Sequence, residues 1–291
     1  MKNTPRRDRI SHMIGLIIRL LLGVIFVASA AAKLWSIDRF ELYIFSYGFV
    51  SLNLSFLVAR ICIGVELALG VLLLTGWLRR LTLTLVALIL LAFSIFLGFA
   101  ALVGRTDSCQ CFGQLADMPP AVSLLKNALL LVLTLLCTRL SASAEGRRWH
   151  RWAAAVIAAA ALAVPFAVSV PDNWMFGATG EIYDEKALAE VLDEKLDSLE
   201  PRNSNKIIAF VTPGCPYCHM TRQKLDYIAA RHHLPTESII YIEPGDIGSR
   251  LFLETTRGAS PLVLLIEEGT VSATFHYRNI NERKITRALR R

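Results

Sequence analysis

The sequence predicts a multi-domain protein, in which an α-helical transmembrane bundle is followed by a smaller α/β domain. Hydrophobic residues make up 54% of the 291 residues and charged residues only 19%, whereas soluble globular chains carry about 25% charged residues. The long apolar runs all lie before position 171, and from about residue 179 charged residues become dense. Intrinsic disorder is excluded, because it requires low hydrophobicity.

Five apolar stretches predict the helices of the first part. Each has about the 17–25 residues that a helix needs to cross the hydrocarbon core of a bilayer. They cover residues 13–35, 54–74, 81–103, 121–138 and 152–170. We therefore expect a four-helix membrane domain over residues 1–140, a fifth transmembrane helix with a linker over residues 141–178, and a second domain over residues 179–291.

The distribution of charge predicts the orientation in the membrane. Residues 1–171 carry 16 basic and 7 acidic side chains, and residues 172–291 carry 15 and 17. The basic residues of the first part cluster before the first stretch, at Arg79 and Arg80, and between residues 139 and 151. By the positive-inside rule these segments are cytoplasmic. We expect a bacterial inner-membrane protein, surrounded by lipid, with a cytoplasmic N-terminus and a periplasmic C-terminal domain. Because topology accounts for the net charge of +7, no nucleic-acid partner is expected.

A cleaved signal peptide is an alternative interpretation of the N-terminus. Basic residues precede an apolar run, and Ala28-Ser29-Ala30 resembles a cleavage site. Arg19 inside the run and the continuation of the run to Trp35 argue against it. Cleavage would leave the orientation of the later segments unchanged.

Four of the six cysteines form two close pairs on the expected outer side. Cys109 and Cys111 lie in the loop between the third and fourth apolar stretches, and Cys215 and Cys218 lie in the second domain. Disulfides persist in oxidising compartments outside the cytoplasm. Both pairs are therefore candidates for redox chemistry.

The residues around the second pair predict an ordered setting for it. Residues 206–211 are typical of a short buried strand, and residues 216–230 of a helix, so Cys215 lies at a helix N-terminus. The free N–H groups and the helix dipole favour a thiolate there. The elements predicted after this helix are a strand at 239–242, a helix at 248–256, strands at 262–266 and 271–276, and a helix at 281–290.

This order of elements resembles the thioredoxin/glutaredoxin superfamily over residues 180–291. Members of that superfamily place a cis-proline opposite the C-x-x-C motif, and Ser260-Pro261 is the matching dipeptide. C-P-Y-C at residues 215–218 is the glutaredoxin form of the motif. Thioredoxins proper carry a buried aspartate six residues before the first cysteine, and Ala209 occupies that position here. The resemblance therefore implies no thioredoxin-type proton relay to the second cysteine.

Thiol–disulfide exchange assigns a role to each residue of the motif. Cys215, at the exposed helix tip, is expected to attack, and Cys218, one turn inward, to resolve the mixed disulfide. The expected substrate groove is formed by Pro261 with Ser260, Pro216 and Tyr217.

Other interpretations of the cysteine pairs remain open. Cys215–His219 also matches C-x-x-C-H, the haem attachment motif, and the pair could be purely structural. Cys109 and Cys111 could form a strained small-ring disulfide, pair elsewhere or bind zinc. No second Cys/His pair lies nearby, so no metal site is predicted.

The first part resembles MauE/DoxX-type membrane proteins over about residues 10–140. The specific element is C-Q-C-F-G at residues 109–113, close to the C-x-C-F-G of that family. The resemblance implies four helices and a redox-associated role, as in the maturation of the disulfide-rich methylamine dehydrogenase small subunit. The looser matches are Arg19, Gly23, Phe26, Ser29, Lys33, Leu34, Phe40, Tyr47, Glu66, Gly70, Leu73 and Gly76.

Ionisable residues inside membrane spans are costly and are functional candidates by default. Depths counted from the ends of the apolar stretches place Arg19 and Glu66 at similar levels, and we expect them to be in contact. The pair is interpreted either as a structural ion pair or as part of a proton or quinone site. Cys62 and Cys137 lie at different depths and are interpreted as buried apolar residues, with Cys62 a weaker candidate for a relay.

The resulting hypothesis is a membrane-bound thiol–disulfide oxidoreductase that supports disulfide formation or maturation of periplasmic proteins. Cys215/Cys218 would exchange with client proteins that carry thiols or disulfides, and Cys109/Cys111 would exchange with that pair. A membrane quinone is the one cofactor considered. The alternatives are a quinone-linked thiol oxidase resembling vitamin-K-epoxide reductase and a client-specific assembly factor of the methylamine-dehydrogenase-maturation type.

Overall fold

The computed structural model describes residues 4–102, 119–140, 148–169, 183–196 and 205–290. Packing divides the chain into two compact units. The first comprises Met1–Tyr43 and Leu57–Val170, and the second comprises Ile44–Phe56 and Pro171–Arg291.

Long apolar helices dominate the first part of the chain. Within the described residues, four of them are long and apolar enough to cross a membrane, over Arg9–Trp35, Leu52–Thr75, Arg79–Leu102 and Ala121–Leu140. The chain is a multi-pass membrane protein. The helices are α1 (Thr4–Trp35), α2 (Ile37–Ser46), α3 (Leu52–Thr75), α4 (Arg79–Leu102), α5 (Pro120–Leu140) and α6 (Arg148–Val168).

The predicted fifth crossing corresponds to α6. This helix contains Pro165, and its apolar part, Trp152–Val168, is shorter than the four candidate spans. The helix is therefore present, and its crossing of the membrane stays a prediction.

Two glycines set the register between α1 and α3. A Cβ atom added to Gly23 would lie 2.8 Å from the Leu74 side chain, and one added to Gly70 would lie 2.8 Å from the Val27 side chain. Small residues allow membrane helices to approach closely. The antiparallel crossing therefore brings Gly23 against residues 70–74.

The second unit contains a four-stranded sheet of order β2-β1-β3-β4. Strand β1 (Lys206–Phe210) runs parallel to β2 (Ile239–Ile242) and antiparallel to β3 (Leu262–Glu267), which pairs antiparallel with β4 (Thr270–Phe275). The helices of this unit are α7 (Glu185–Leu196), α8 (Pro216–His232), α9 (Pro244–Ile247), α10 (Ser249–Thr256) and α11 (Glu282–Leu289). A membrane helix bundle followed by an α/β domain is confirmed, and the sheet is consistent with a thioredoxin-like fold.

Helix α7 is not predicted from the sequence. Asp184 precedes it and accepts hydrogen bonds from the N–H groups of Lys186 and Ala187, both at 3.1 Å. Leu188 and Val191 are buried in the core of the unit. An aspartate cap followed by apolar residues at helical spacing is the signal that could have found it.

The segment Ile44–Phe56 packs within the second unit, although its sequence position is between two membrane helices. Phe45 packs edge-on against Tyr227 with ring centroids 6.3 Å apart. The Leu52 N–H donates to Glu282 Oε2 at 2.8 Å, and Arg231 donates to the Val50 carbonyl. These contacts join residues between 181 and 230 positions apart, and no local sequence pattern indicates them.

Candidate functional site

The C-P-Y-C motif lies at the end of the connection from β1 to α8 and at the N-terminus of α8. Gly214 has φ +75°, a conformation that glycine adopts without steric cost, and it turns the chain between the two elements. Cys215 is the N-cap of α8, with φ −81° and ψ 117°. Pro216 follows at the first helical position, where a missing N–H costs no intrahelical hydrogen bond.

Cys215 is placed to be a nucleophile. Its Sγ accepts a hydrogen bond from the Cys218 N–H at 3.2 Å, as an N-cap side chain does. The N-terminus of the helix, where free N–H groups and the positive end of the dipole lie, is at this position. Cys215 is half-buried, and Cys218 is 3% exposed. Both are free thiols in the structure.

Cys218 is surrounded by hydrogen-bonding groups. Its Sγ accepts from the Thr212 N–H at 3.4 Å and lies 3.2 Å from Ser260 Oγ. Burial raises the pKa of the Cys218 thiol, and the hydrogen bond with Cys215 raises it further. The contacts with Ser260 and Thr212 act in the opposite direction and stabilise the thiolate.

The predicted groove residues come together around this pair. The Ser260-Pro261 peptide bond is cis and immediately precedes β3, which brings Ser260 against Cys218. His276 Nδ1 lies 3.3 Å from the Pro261 carbonyl oxygen. Pro216 and Tyr217 form the first turn of α8.

An aromatic and cationic cluster extends the site beyond the predicted residues. Tyr217 is 43% exposed and packs against Tyr277, with ring centroids 4.4 Å apart and ring planes inclined at 31°. The guanidinium carbon of Arg278 lies 5.2 Å from the Tyr277 ring centroid. Sequence reasoning missed Tyr277 and Arg278, because their proximity to the motif depends on the pairing of β1, β3 and β4. It also missed Thr212, although its position three residues before Cys215 is a signal that could have found it.

The other predicted redox pair, Cys109 and Cys111, lies outside the residues that the structure describes. Of the remaining cysteines, Cys137 is fully buried, and its Sγ lies 3.4 Å from the Gly15 carbonyl oxygen, which fits a packing role. Cys62 is an exposed free thiol, so its interpretation as a buried residue is wrong.

The expected contact between Arg19 and Glu66 is wrong. Glu66 pairs with Lys33 instead, with Lys33 Nζ 2.5 Å from Glu66 Oε2 and 3.2 Å from Ser29 Oγ. Arg19 packs against Gly76, a glycine with φ +72° at which a Cβ atom would collide with the guanidinium.

The glycine register explains the error. Because Gly23 faces residues 70–74, residues before it face positions near 76 and residues after it face Glu66. Lys33, the partner of Glu66, lies fourteen residues after Arg19, or about 21 Å along the helix at 1.5 Å per residue. Depths counted from the ends of apolar stretches ignored this offset.

A second ion pair is fully buried in the first unit. Arg60 pairs with Glu41, and their side chains are 1% and 0% exposed. Arg60 also donates to the Ser169 carbonyl oxygen at 2.6 Å. Among the residues that the structure describes, no group of three or more His, Cys, Asp or Glu side chains could hold a metal ion.

Comparison with known proteins agrees with this architecture. Residues 11–140 match the family of Methylamine utilisation protein MauE. This MauE-type region overlaps all four candidate spans found among the described residues, the first of which begins two residues before it. Protein TlpB from Flavobacterium psychrophilum is 26% identical to the chain over 291 aligned positions, which cover 82% of this chain and 79% of that protein. No solved structure matches the chain.

Proposed function

We propose that the chain is a membrane-bound thiol–disulfide oxidoreductase acting on extracytoplasmic proteins. The observation that carries the proposal is the geometry of one dithiol. Cys215 lies at a helix N-terminus, and its sulfur accepts a hydrogen bond from the Cys218 N–H. The buried Cys218 sulfur lies one helical turn inward. An attacking thiol and a resolving thiol in a fixed order are what dithiol exchange requires.

The exchange proceeds in two steps that balance. The Cys215 thiolate attacks a client disulfide, the S–S bond of the client breaks, and a client thiolate leaves. The Cys218 thiolate then attacks the Cys215 sulfur, the mixed disulfide breaks, and the second client thiol is released while the Cys215–Cys218 bond forms. The reverse sequence oxidises a client dithiol.

The proposal includes the orientation of the chain in the membrane. Basic residues in alternate loops support a cytoplasmic N-terminus in a bacterial inner membrane, and five crossings would place the dithiol in the periplasm. We propose the same division of the chain as before: a membrane domain (1–140), a fifth helix with a linker (141–178) and a thioredoxin-like domain (179–291). Segment Ile44–Phe56 packs with the last of these.

We further propose that Cys109/Cys111 exchanges with Cys215/Cys218 as relay or terminal acceptor. The support is the presence of two cysteine pairs in segments that the charge distribution assigns to the same side of the membrane. If Cys109→Ser/Cys111→Ser leaves the rate of reoxidation of Cys215/Cys218 unchanged in a single turnover, the relay is refuted.

The principal test measures turnover of a peptide disulfide or dithiol by the purified full chain. Cys215→Ser and Cys218→Ser are expected to abolish turnover. Cys137→Ser is the matched control, since it removes one thiol outside the motif, and it is expected to retain turnover. Full turnover by Cys215→Ser would refute the proposal.

A quinone-linked reaction is a second candidate, favoured by the Lys33–Glu66 pair inside the helix bundle. Lys126 on α5 lies within electrostatic range of both residues. Oxidation of a dithiol by a quinone transfers two electrons and two protons and yields a disulfide and a quinol, so titratable groups are needed where the quinone binds. Normal quinone-linked turnover by a well-folded Glu66→Gln variant would refute a role for this pair.

A client-specific assembly role is the third candidate, and the MauE match favours it. The family is described by methylamine utilisation, which suggests maturation of one partner protein. Such a factor would act on that partner and leave generic unfolded thiol substrates untouched. Equal rates on unrelated client peptides would refute it.

A further inference from the structure

Two hydroxyl groups lie against the buried sulfur of the resolving cysteine. Ser260 Oγ is 3.2 Å from Cys218 Sγ and 2.9 Å from Thr212 Oγ1. Thr212 also donates its backbone N–H to the same sulfur. We propose that Ser260, held in place by Thr212, hydrogen-bonds to the Cys218 thiolate and sets the rate at which the mixed disulfide is resolved.

A hydroxyl suits this position because it can serve both protonation states of the sulfur. A serine hydroxyl has one donor and two acceptor sites and rotates freely. It accepts from the S–H of the thiol and donates to the thiolate. When it donates to the thiolate, Thr212 Oγ1 can donate to Ser260 Oγ in turn, and such chains strengthen each bond.

The described surroundings of Cys218 contain few other groups for this task. Cys215 on the same helix, Thr212 at the end of β1 and Ser260 before β3 are the groups that act on its ionisation. Cys215 opposes ionisation, and the other two favour it. Ala209, on β1, has no polar side chain. The hydroxyl of Ser260 is therefore the side-chain group that stabilises the thiolate.

The same hydroxyls connect the sulfur with solvent. Cys218 is 3% exposed, Ser260 and Thr212 are half-buried, and Pro213 and Gly214 beside them are exposed. The proton of Cys218 leaves towards solvent at this edge. The thiolate then forms the Cys215–Cys218 bond, and the electron pair of the broken mixed disulfide departs with the client sulfur.

This inference rests on the proposed dithiol exchange, and one assay tests both separately. The full chain is prepared with only Cys215 and Cys218 retained, the other four cysteines being changed to serine. It is mixed with the aromatic disulfide DTNB, and release of the yellow thiolate is followed over a range of pH. The first release reports attack by Cys215, and the second reports resolution by Cys218.

Ser260→Ala removes the hydroxyl and is expected to raise the pH midpoint of the second release by about one pH unit, since a hydrogen bond to a charged group contributes about 1.5 kcal/mol. Below that midpoint the thiolate fraction falls about tenfold, but the more basic thiolate is more nucleophilic, so the rate falls only about threefold. Ser260→Thr keeps a hydroxyl and is expected to restore the rate. The first release is expected to be unchanged.

Thr256→Val is the matched control, because the Thr256 hydroxyl donates to the Phe252 carbonyl of its own helix at 2.8 Å. It is expected to leave both releases unchanged. An unshifted second release in Ser260→Ala, or equal shifts in Ser260→Ala and Ser260→Thr, would overturn the inference. Loss of the first release in the parent chain would instead overturn the proposed function.

Discussion

The Lys33–Glu66 ion pair gives a quantitative test of the bundle. Lys33 Nζ is 2.5 Å from Glu66 Oε2, and the side chains are 9% and 19% exposed. Glu66→Gln leaves the lysine cation in a largely buried site without its carboxylate. Removing one partner of a buried pair costs about 3–5 kcal/mol. Because Glu66 retains some exposure, we expect the lower end, about 3 kcal/mol.

The double variant Lys33→Met/Glu66→Gln removes both charges, and replacement of a buried pair by apolar or neutral residues is often close to neutral. We therefore expect it to recover most of the loss, with a coupling energy of about 2 kcal/mol between the two positions. The assay is unfolding of the purified chain in detergent with increasing SDS, followed by circular dichroism.

The exposed pair Arg250–Glu254 is the matched control. It is also in hydrogen-bond contact, at 2.8 Å, but its side chains are 91% and 51% exposed. Exposed pairs at this helical spacing contribute about 0.3–0.5 kcal/mol. If the losses from Lys33→Met and Glu66→Gln simply add, the two side chains do not interact and the bundle register described above is wrong.

Three further predictions follow from local geometry. Gly76→Ala is expected to lower the melting temperature because of its positive φ and the neighbouring guanidinium, whereas Gly98→Ala, with open space around it, is expected to be neutral or stabilising. Hydrogen bonds, chiefly from the Ala187 N–H, lower the pKa of Asp184. The stabilisation that the ionised Asp184 gives to the folded chain is therefore present above about pH 4 and is lost as the pH falls through the lowered pKa. Asp184→Ala is expected to lower the melting temperature at pH 7 and not at pH 2, and Asp184→Asn is expected to keep the helix cap. Because the pKa of Cys218 is raised, we expect the rate of Cys218 alkylation in the full chain to continue to increase with pH above pH 9. A rate that reaches a plateau by pH 8 would contradict this.

Periodicity and local motifs were enough to predict the four strands of the second unit and its helices α8, α10 and α11, whereas α7 and α9 were not predicted. The predicted strand at 206–211 corresponds to β1, and the predicted helix at 216–230 to α8. The Pro261 position was predictable because the superfamily resemblance places a cis-proline opposite the motif. These features depend on residues close in sequence or on one recognisable dipeptide.

Contacts between distant residues could not be predicted in the same way. The partner of Glu66 depends on which residues of two helices face one another, and small residues fix this register. Thr212 approaches Ser260 because β1 and β3 are paired, with Phe210 opposite Leu262. No spacing in the sequence carries that information.

The central claim is that Cys215 attacks client proteins and Cys218 resolves the product. The most direct measurement is trapping of mixed disulfides in intact cells that produce the full chain with Cys218→Ala. We predict adducts of higher mass that a reductant releases and that are absent with Cys215→Ala and with the double variant. Absence of adducts with Cys218→Ala, or equal adducts with Cys215→Ala, would contradict the claim.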